Sequence, residues 1–117
     1  MIKAVLHLDR YEGGDRAGLG LALQYIRQLR FVDAQAAVVL VATDDGVAGL
    51  REDDFERTRE VIRWEQLGII FAACELSLRA RNENLETYRF LPGVRPVPCG
   101  IAYALELQGQ GYGYIKV

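Results

Sequence analysis

The sequence predicts an α/β protein built on an open, mostly parallel sheet with helices on both faces. Short apolar runs alternate with longer amphipathic stretches in the order βαβαβαβαβ, which is typical of parallel strands connected by helices. The run Ala36–Ala42 is apolar throughout, as expected of a central strand covered on both sides. Because the 117 residues include no linker, repeat or low-complexity segment, we expect residues 1–117 to form one domain.

The first part of the chain contains two strands and one helix. Ile2–Leu8 is predicted as the first strand, and a glycine-bearing turn at Tyr11–Asp15 follows it. A helix is expected from about Ala17 to Phe31, because apolar residues recur on one broad face: Leu19, Ala22, Leu23, Ile26 and Leu29. Ala36–Ala42 is the second strand.

A second helix and a third strand lead to Cys74. Asp53 or Asp54 is suited to cap the helix, which is expected to end before Gly68. Ile69–Ala73 is the third strand, and Cys74 is expected to begin the turn into another helix.

The last third of the chain completes the sheet. A short fourth strand is expected near Val94–Val97, with prolines suited to its ends rather than its middle. Ile101–Gln108 is predicted to be helical, and Tyr112–Val117 is the final strand. Because this last helix is apolar nearly all round, we expect part of its surface to lie in a homo-oligomer interface.

Composition excludes several classes of function. The formal net charge is −2, from 14 Lys and Arg against 16 Asp and Glu, so neither nucleic acid nor a membrane surface is an expected partner. No secretion signal precedes the first strand, and the apolar runs are too short to cross a membrane, so a cytoplasmic location is expected. Two cysteines and one histidine are too few for a structural zinc site, and His7 is interpreted as a satisfied core residue.

Ligands of open parallel sheets bind beyond the carboxyl ends of the strands. The residues expected there are Asp9, Thr43–Asp45, Cys74 and Pro98–Gly100. The carboxylates among them are interpreted as caps and turn formers, so neither a metal nor a cofactor is predicted. The segment Gly13–Gly20 matches neither G-x-G-x-x-G nor the P-loop pattern and is interpreted as a flexible turn.

Cys74 is the predicted reactive residue. It leaves a buried strand and enters a helix N-terminus, where free amide hydrogens favour the nucleophilic thiolate over the thiol. The alternative is that Cys74 is a small buried hydrophobic residue. Cys99 ends the neighbouring strand and is a possible second thiol, which either pairs with Cys74 or simply fits its site. The predicted rim of the site consists of Asp9, Asp44, Glu75, Ser77 and Gly100.

An ordered series of segments resembles the DsrE/DsrF-like family, in its branch of small single-domain proteins. The segments in the second half are Gly68–Leu78, Leu91–Val94, Val97–Gly100 and Gln110–Lys116; earlier ones are Lys3–Leu8, Val39–Ala42 and Asp45–Val47. The resemblance covers nearly the whole chain. It implies a three-layer α/β/α, flavodoxin-like (DsrEFH-like) fold with a mostly parallel five-stranded sheet, and assembly into trimers or hexamers.

The family includes subunits that accept and relay sulfane sulfur on a cysteine after the third strand, and the matching residue is Cys74. Two departures stand out. Glu75 and Ser77 lie where many relatives have an Asn-Thr type pair, and we expect the charge of Glu75 to raise the pKa of the thiol beside it. Relatives usually have Ser or Ala at the position of Cys99.

The sequence therefore favours a sulfur-relay protein that carries sulfane sulfur as a persulfide on Cys74, with a donor or acceptor protein as partner. Two other hypotheses stay open. One is a non-catalytic oligomeric module that binds a small ligand or a protein. The other is a thiol redox sensor that uses Cys74 and Cys99.

Overall fold

The computed structural model describes residues 1–11, 18–51, 55–83 and 89–117, apart from the side chains of residues 55 and 56. Its strands are β1 (Lys3–Leu8), β2 (Ala37–Ala42), β3 (Ile70–Cys74), β4 (Arg95–Val97) and β5 (Gly113–Lys116). Its helices are α1 (Gly18–Val32), α2 (Phe55–Gln66), α3 (Glu75–Ala80) and α4 (Gly100–Gly109), and a 3₁₀ segment covers Asp44–Leu50.

The strands form one sheet in the order β4-β3-β2-β1-β5, and each of these neighbouring pairs is parallel. Along the chain, β2, β3 and β4 are each added next to the strand before them, and β5 is then added on the other side of β1. The direction in which strands are added therefore reverses between β1 and β5. With helices on both faces, this is the predicted three-layer α/β/α, flavodoxin-like architecture, which is confirmed.

Alternate residues of each strand point to opposite faces of the sheet, and the two faces have separate cores. One face packs against α1 and α2 and contains the larger cluster, including Leu6, Leu40 and Phe71. The other packs against α4, where Val5, Val39 and Val41 contact Ala104 and Leu107. We refer to them below as the α1/α2 face and the α4 face.

Each strand differs from its predicted range by one residue at one or both ends. Two details of β3 and β4 were predicted differently. Pro96 lies in the middle of β4, whereas prolines were expected only at the ends; the strand tolerates it because β4 is at the edge of the sheet. Cys74 is the last residue of β3 rather than the start of a turn, since it pairs in register with Val97. The prediction that Asp53 or Asp54 caps α2 lies outside the described residues, as do the turn after Tyr11 and most of the glycine-rich segment.

The 3₁₀ segment Asp44–Leu50 was not predicted. It packs closely against the end of β1, because a Cβ atom at Gly46 would lie 2.2 Å from the carbonyl oxygen of Leu8. Val47 and Leu50 are buried in the core of the α1/α2 face. The segment therefore fixes the backbone that follows β2 at the carboxyl edge of the sheet.

Candidate functional site

Cys74 lies at the carboxyl end of β3 and is the N-cap residue of α3, and it is only 4% exposed. On the other side of its thiol begins α4, whose N-cap is Cys99. The two helices therefore start next to the same sulfur atom. Neither cysteine forms a disulfide, and Cys99 is half-buried.

The sulfur of Cys74 accepts a hydrogen bond from the backbone N–H of Gly100, which lies 3.2 Å from Sγ. The first turn of α3 makes no capping hydrogen bond to this sulfur, and the N–H of Leu76 donates to the carbonyl oxygen of Pro98. Burial raises the pKa of Cys74, but the nearby polar groups of Ser77, Gly100 and Leu76 lower it by more, so that the net pKa lies below the ordinary value. The site thus stabilises the thiolate relative to that of an ordinary cysteine.

The absence of a side chain at Gly100 permits this geometry. A Cβ atom there would lie 2.6 Å from Cγ2 of Thr43 and 3.1 Å from Cβ of Cys74, which are distances too short for ordinary contact. Only glycine lets the first turn of α4 come close enough for its N–H to reach the sulfur.

Ser77 Oγ accepts a 2.7 Å hydrogen bond from the backbone N–H of Asp44, which ties the first turn of α3 to the start of the 3₁₀ segment. Asp44 has a φ of 51°, in the left-handed region that aspartate adopts more readily than most residues other than glycine, because its short side chain can hydrogen-bond locally.

His7 connects to this rim, which the sequence did not predict. It is buried, as expected of a satisfied core histidine, and both ring nitrogens have partners: Nδ1 lies 2.5 Å from the Tyr114 hydroxyl and Nε2 lies 2.7 Å from Thr43 Oγ1. The Thr43 hydroxyl in turn donates to the Asp44 carboxylate at 3.1 Å. The only signal in the sequence was that His7 lies two residues before Asp9, at the predicted rim.

One assignment of hydrogens satisfies this whole chain. Because Thr43 gives its hydrogen to Asp44, its oxygen accepts from His7 Nε2–H, and Nδ1 accepts from the Tyr114 hydroxyl. This is neutral histidine. Burial and, next, the positive charge of Lys116 lower the pKa of His7, while Asp9 and Asp44 raise it by less.

Glu75 and Asp9, which were also predicted at the rim, both form ion pairs with basic side chains. Glu75 forms an ion pair with Arg79 at 2.8 Å. The expectation that Glu75 raises the pKa of Cys74 is wrong for the net effect, because the polar groups near the sulfur lower that pKa.

Asp9 binds Lys116 at 2.7 Å, beyond β1 and β5, and that hydrogen bond lowers the pKa of Asp9. The structure therefore brings Cys74, Ser77, Gly100 and Asp44 together, whereas Asp9 bonds elsewhere along the rim.

Residues 1–11, 18–51, 55–83 and 89–117 contain no group of three His, Cys, Asp or Glu side chains arranged to bind a metal ion. Within these ranges, no helix is both long and apolar enough to span a membrane.

Comparison with known proteins finds solved structures with the same fold. No family model matches the sequence, and no curated protein matches it. A solved structure of MTH1491, a protein of unknown function from Methanobacterium thermoautotrophicum, is 26% identical with a TM-score of 0.87, and the match covers 100% of both chains. The ychN protein from E. coli is 17% identical with a TM-score of 0.77, again over 100% of both chains. The chain shares the fold of these proteins along its full length.

Proposed function

We propose that this chain is a DsrE/DsrF-like sulfur-relay protein that carries sulfane sulfur as a persulfide on Cys74. The observation that supports this most directly is the hydrogen bond from the Gly100 N–H to the sulfur, at a cysteine whose pKa is lowered although it is buried. Both properties stabilise an anionic sulfur at this position. A buried cysteine that only filled space would need neither.

The transfer involves two exchanges at sulfur. The Cys74 thiolate attacks the outer sulfur of a donor persulfide; a new S–S bond forms, the donor's S–S bond breaks, and the donor leaves as a thiolate. An acceptor thiolate then attacks the outer sulfur on Cys74, and Cys74 leaves as a thiolate. One sulfur atom moves and no external oxidant or reductant is consumed.

We further propose that the protein is a homo-oligomer that uses the outer surface of α4. Ile101 is 51% exposed and Leu105 is 64% exposed on this helix. Between α4 and β5 lies a shallow groove of about 340 Å³, lined by Ile101, Ala104, Leu105, Gln108 and Tyr114. Ile101 directly follows Gly100, so a second copy seated on this groove would lie beside the first turn of α4, whose Gly100 N–H donates to Cys74.

A second candidate function, a thiol redox sensor, is favoured by the position of Cys99. This residue directly precedes Gly100, whose N–H donates to the Cys74 sulfur, and the Cys99 side chain makes no capping hydrogen bond in α4. Mild oxidation with a disulfide reagent, followed by intact mass and peptide mapping, tests it: a Cys74–Cys99 disulfide supports the sensor, and two unpaired thiols contradict it.

The sulfur-relay proposal is tested by intact mass after incubation with a low-molecular-weight persulfide donor. We expect the wild type and a Cys99→Ser variant to gain one sulfur atom and to lose it on addition of a thiol. Cys74→Ser should gain none. Equal gains in Cys74→Ser and the wild type, or no gain in the wild type, would refute the proposal.

A further inference from the structure

A groove between α1 and α2 is lined mainly by arginines. It has a volume of about 680 Å³, and its lining consists of one residue of α1 and four of α2: Arg27, Arg59, Glu60, Arg63 and Trp64. Three of these side chains are positively charged and one is negatively charged, whereas the chain as a whole has a formal net charge of −2. This groove, which we call the α1/α2 groove, is therefore a local positive region on an acidic protein.

The single carboxylate that lines the α1/α2 groove is already bound. Both oxygens of Glu60 accept from Arg27 Nη1, at 2.8 and 2.9 Å, and Oε2 also accepts the indole N–H of Trp64 at 3.0 Å. Arg63 lies one turn after Glu60, is exposed, and forms no ion pair within the part of the chain that the structure describes. An incoming carboxylate would thus meet an available guanidinium, while the charge of Glu60 is compensated.

Apolar side chains extend the α1/α2 groove toward the amino edge of the sheet. Trp64 is half-buried against the core of the α1/α2 face and lines the groove. One turn beyond Arg27 lies Phe31, which is 91% exposed. One turn beyond Arg63 lies Leu67, whose N–H donates to the Arg63 carbonyl at 3.1 Å and whose side chain is also exposed. Because α1 and α2 each connect two parallel strands, both helices end at the same edge, and so the two exposed apolar residues lie at one end of the groove.

The α1/α2 groove lies apart from Cys74 and from α4. Its apolar end is beside the start of β3, whereas Cys74 is the last residue of that strand, about 13 Å further along. The helix α4 packs on the opposite face of the sheet. A second copy seated on α4 therefore leaves the α1/α2 groove open to a different partner.

We propose that the α1/α2 groove binds an acidic amphipathic helix of a partner protein. The carboxylates of that helix bind the arginines, and its apolar side chains pack on Trp64, Phe31 and Leu67. Tryptophan and arginine are enriched among the residues that contribute most to binding at protein interfaces, and a groove between two helices suits a third one. The positive charge of the groove selects the partner and speeds its approach. This role does not depend on the sulfur chemistry of Cys74.

The test uses the fluorescence of Trp64, the only tryptophan of the chain. Two synthetic helical peptides without tryptophan are titrated into the whole chain. One has glutamates on one face of its first two turns and leucines on the same face of its last two, and the other has glutamine in place of each glutamate. We expect the acidic peptide to change the Trp64 emission saturably and the glutamine peptide to bind about tenfold more weakly or worse. Added salt should weaken binding of the acidic peptide.

Variants of the groove separate its charged contacts from its apolar ones. Arg63→Glu should weaken binding of the acidic peptide by about tenfold, and Arg63→Gln, which places no new charge near Glu60, by about threefold. Phe31→Ala should weaken it by about tenfold. Arg95→Glu is the matched control, because it makes the same change of charge at an exposed arginine on β4, and it should leave binding unchanged.

Three results would overturn the proposal. One is equal binding by Arg63→Glu and Arg95→Glu, another is binding that Phe31→Ala does not weaken, and the third is a wild type whose emission shows no saturable change by about 1 mM peptide. If an Arg63 variant does not fold, the glutamate and glutamine peptides still compare the charged contacts in the wild type.

Other occupants of the α1/α2 groove give different results. Inorganic phosphate or a single-stranded oligonucleotide that binds more tightly than the acidic peptide, and that Arg63→Glu weakens equally, would assign the groove to a phosphate ligand and contradict the proposal. Without peptide, Arg63→Glu and the wild type should have the same mass in analytical ultracentrifugation. A smaller mass for Arg63→Glu would make the groove a contact between copies and would also contradict it.

Discussion

The α1/α2 face and the α4 face of the sheet take alternate residues from the same strands, yet they differ in size and in polarity. On the α1/α2 face, Leu6, Leu40 and Phe71 belong to a large apolar core that two long helices and the 3₁₀ segment cover. On the α4 face a few valines pack under one helix, and His7 and Thr43 lie in line with them at the carboxyl edge.

We infer that the α1/α2 face supplies most of the stability of the fold and that the α4 face can accommodate polar, functional side chains. Burial of large apolar side chains supplies most of the favourable free energy of folding, and most of it lies on the α1/α2 face. The α4 face has the smaller apolar core, and it includes a hydrogen-bonded network through His7 and Thr43 at the carboxyl edge of the sheet. The predictions below test this division, from the largest expected effect to the smallest.

The first prediction compares two leucines truncated to alanine. Leu40→Ala removes a fully buried side chain from the α1/α2 face, and we expect the free energy of unfolding to fall by about 3–5 kcal/mol. Leu107→Ala on the α4 face should cost about 2 kcal/mol, because the smaller core there can relax into the space. Urea denaturation measures both, and equal losses would contradict the division.

The second prediction concerns the two glycines at the ends of α4. Gly100→Ala places a methyl group against Thr43 and Cys74 and should destabilise the protein by about 1–3 kcal/mol. The displaced N–H should also raise the pKa of Cys74. Gly109→Ala is the matched control: nothing lies within 4 Å of its added methyl group, and we expect about 0.5 kcal/mol of stabilisation. Thermal denaturation and thiolate absorbance report the two effects.

The third prediction follows from the lowered pKa of His7. The unfolded chain takes up a proton as the pH falls through about 6.5, whereas the folded protein takes it up only at lower pH, so the free energy of unfolding falls over that interval. His7→Gln should lose this part of the pH dependence and keep the part at more acidic pH that Asp9 and Asp33 contribute through their lowered pKa values. Identical pH profiles for the two proteins would show that His7 is not held neutral.

The smallest effect on stability is expected at the exposed surface of α4. Leu105→Glu changes a side chain that is 64% exposed, and within one chain it should alter the free energy of unfolding by less than about 0.5 kcal/mol. Analytical ultracentrifugation should nevertheless show a homo-oligomer in the wild type and a monomer in this variant. Arg27→Glu, at an exposed position on α1, is the control and should leave the assembly unchanged.

Much of the fold was predictable because period and composition report burial directly. The strand Ala36–Ala42 was apolar on both faces because helices cover it on both sides, and its observed bounds differ by one residue. The 3₁₀ segment was missed because Asp44–Leu50 has no helical period; what fixes it is the contact between Gly46 and β1. Pro96 was misplaced because the sequence does not state which strand forms the edge of the sheet.

Some features of the candidate site could likewise be predicted from the sequence, and others could not. By itself the sequence determined that Cys74 ends a buried strand and precedes a helix, because those properties depend on neighbours along the chain. Only the tertiary structure decided that Gly100, 26 residues later, donates to its sulfur, and that hydrogen bonds connect His7, Thr43, Asp44 and Ser77 in series. These contacts join β1, β2, α3 and α4, and side-chain hydrogen bonds between elements far apart in the chain leave no period or motif in the sequence.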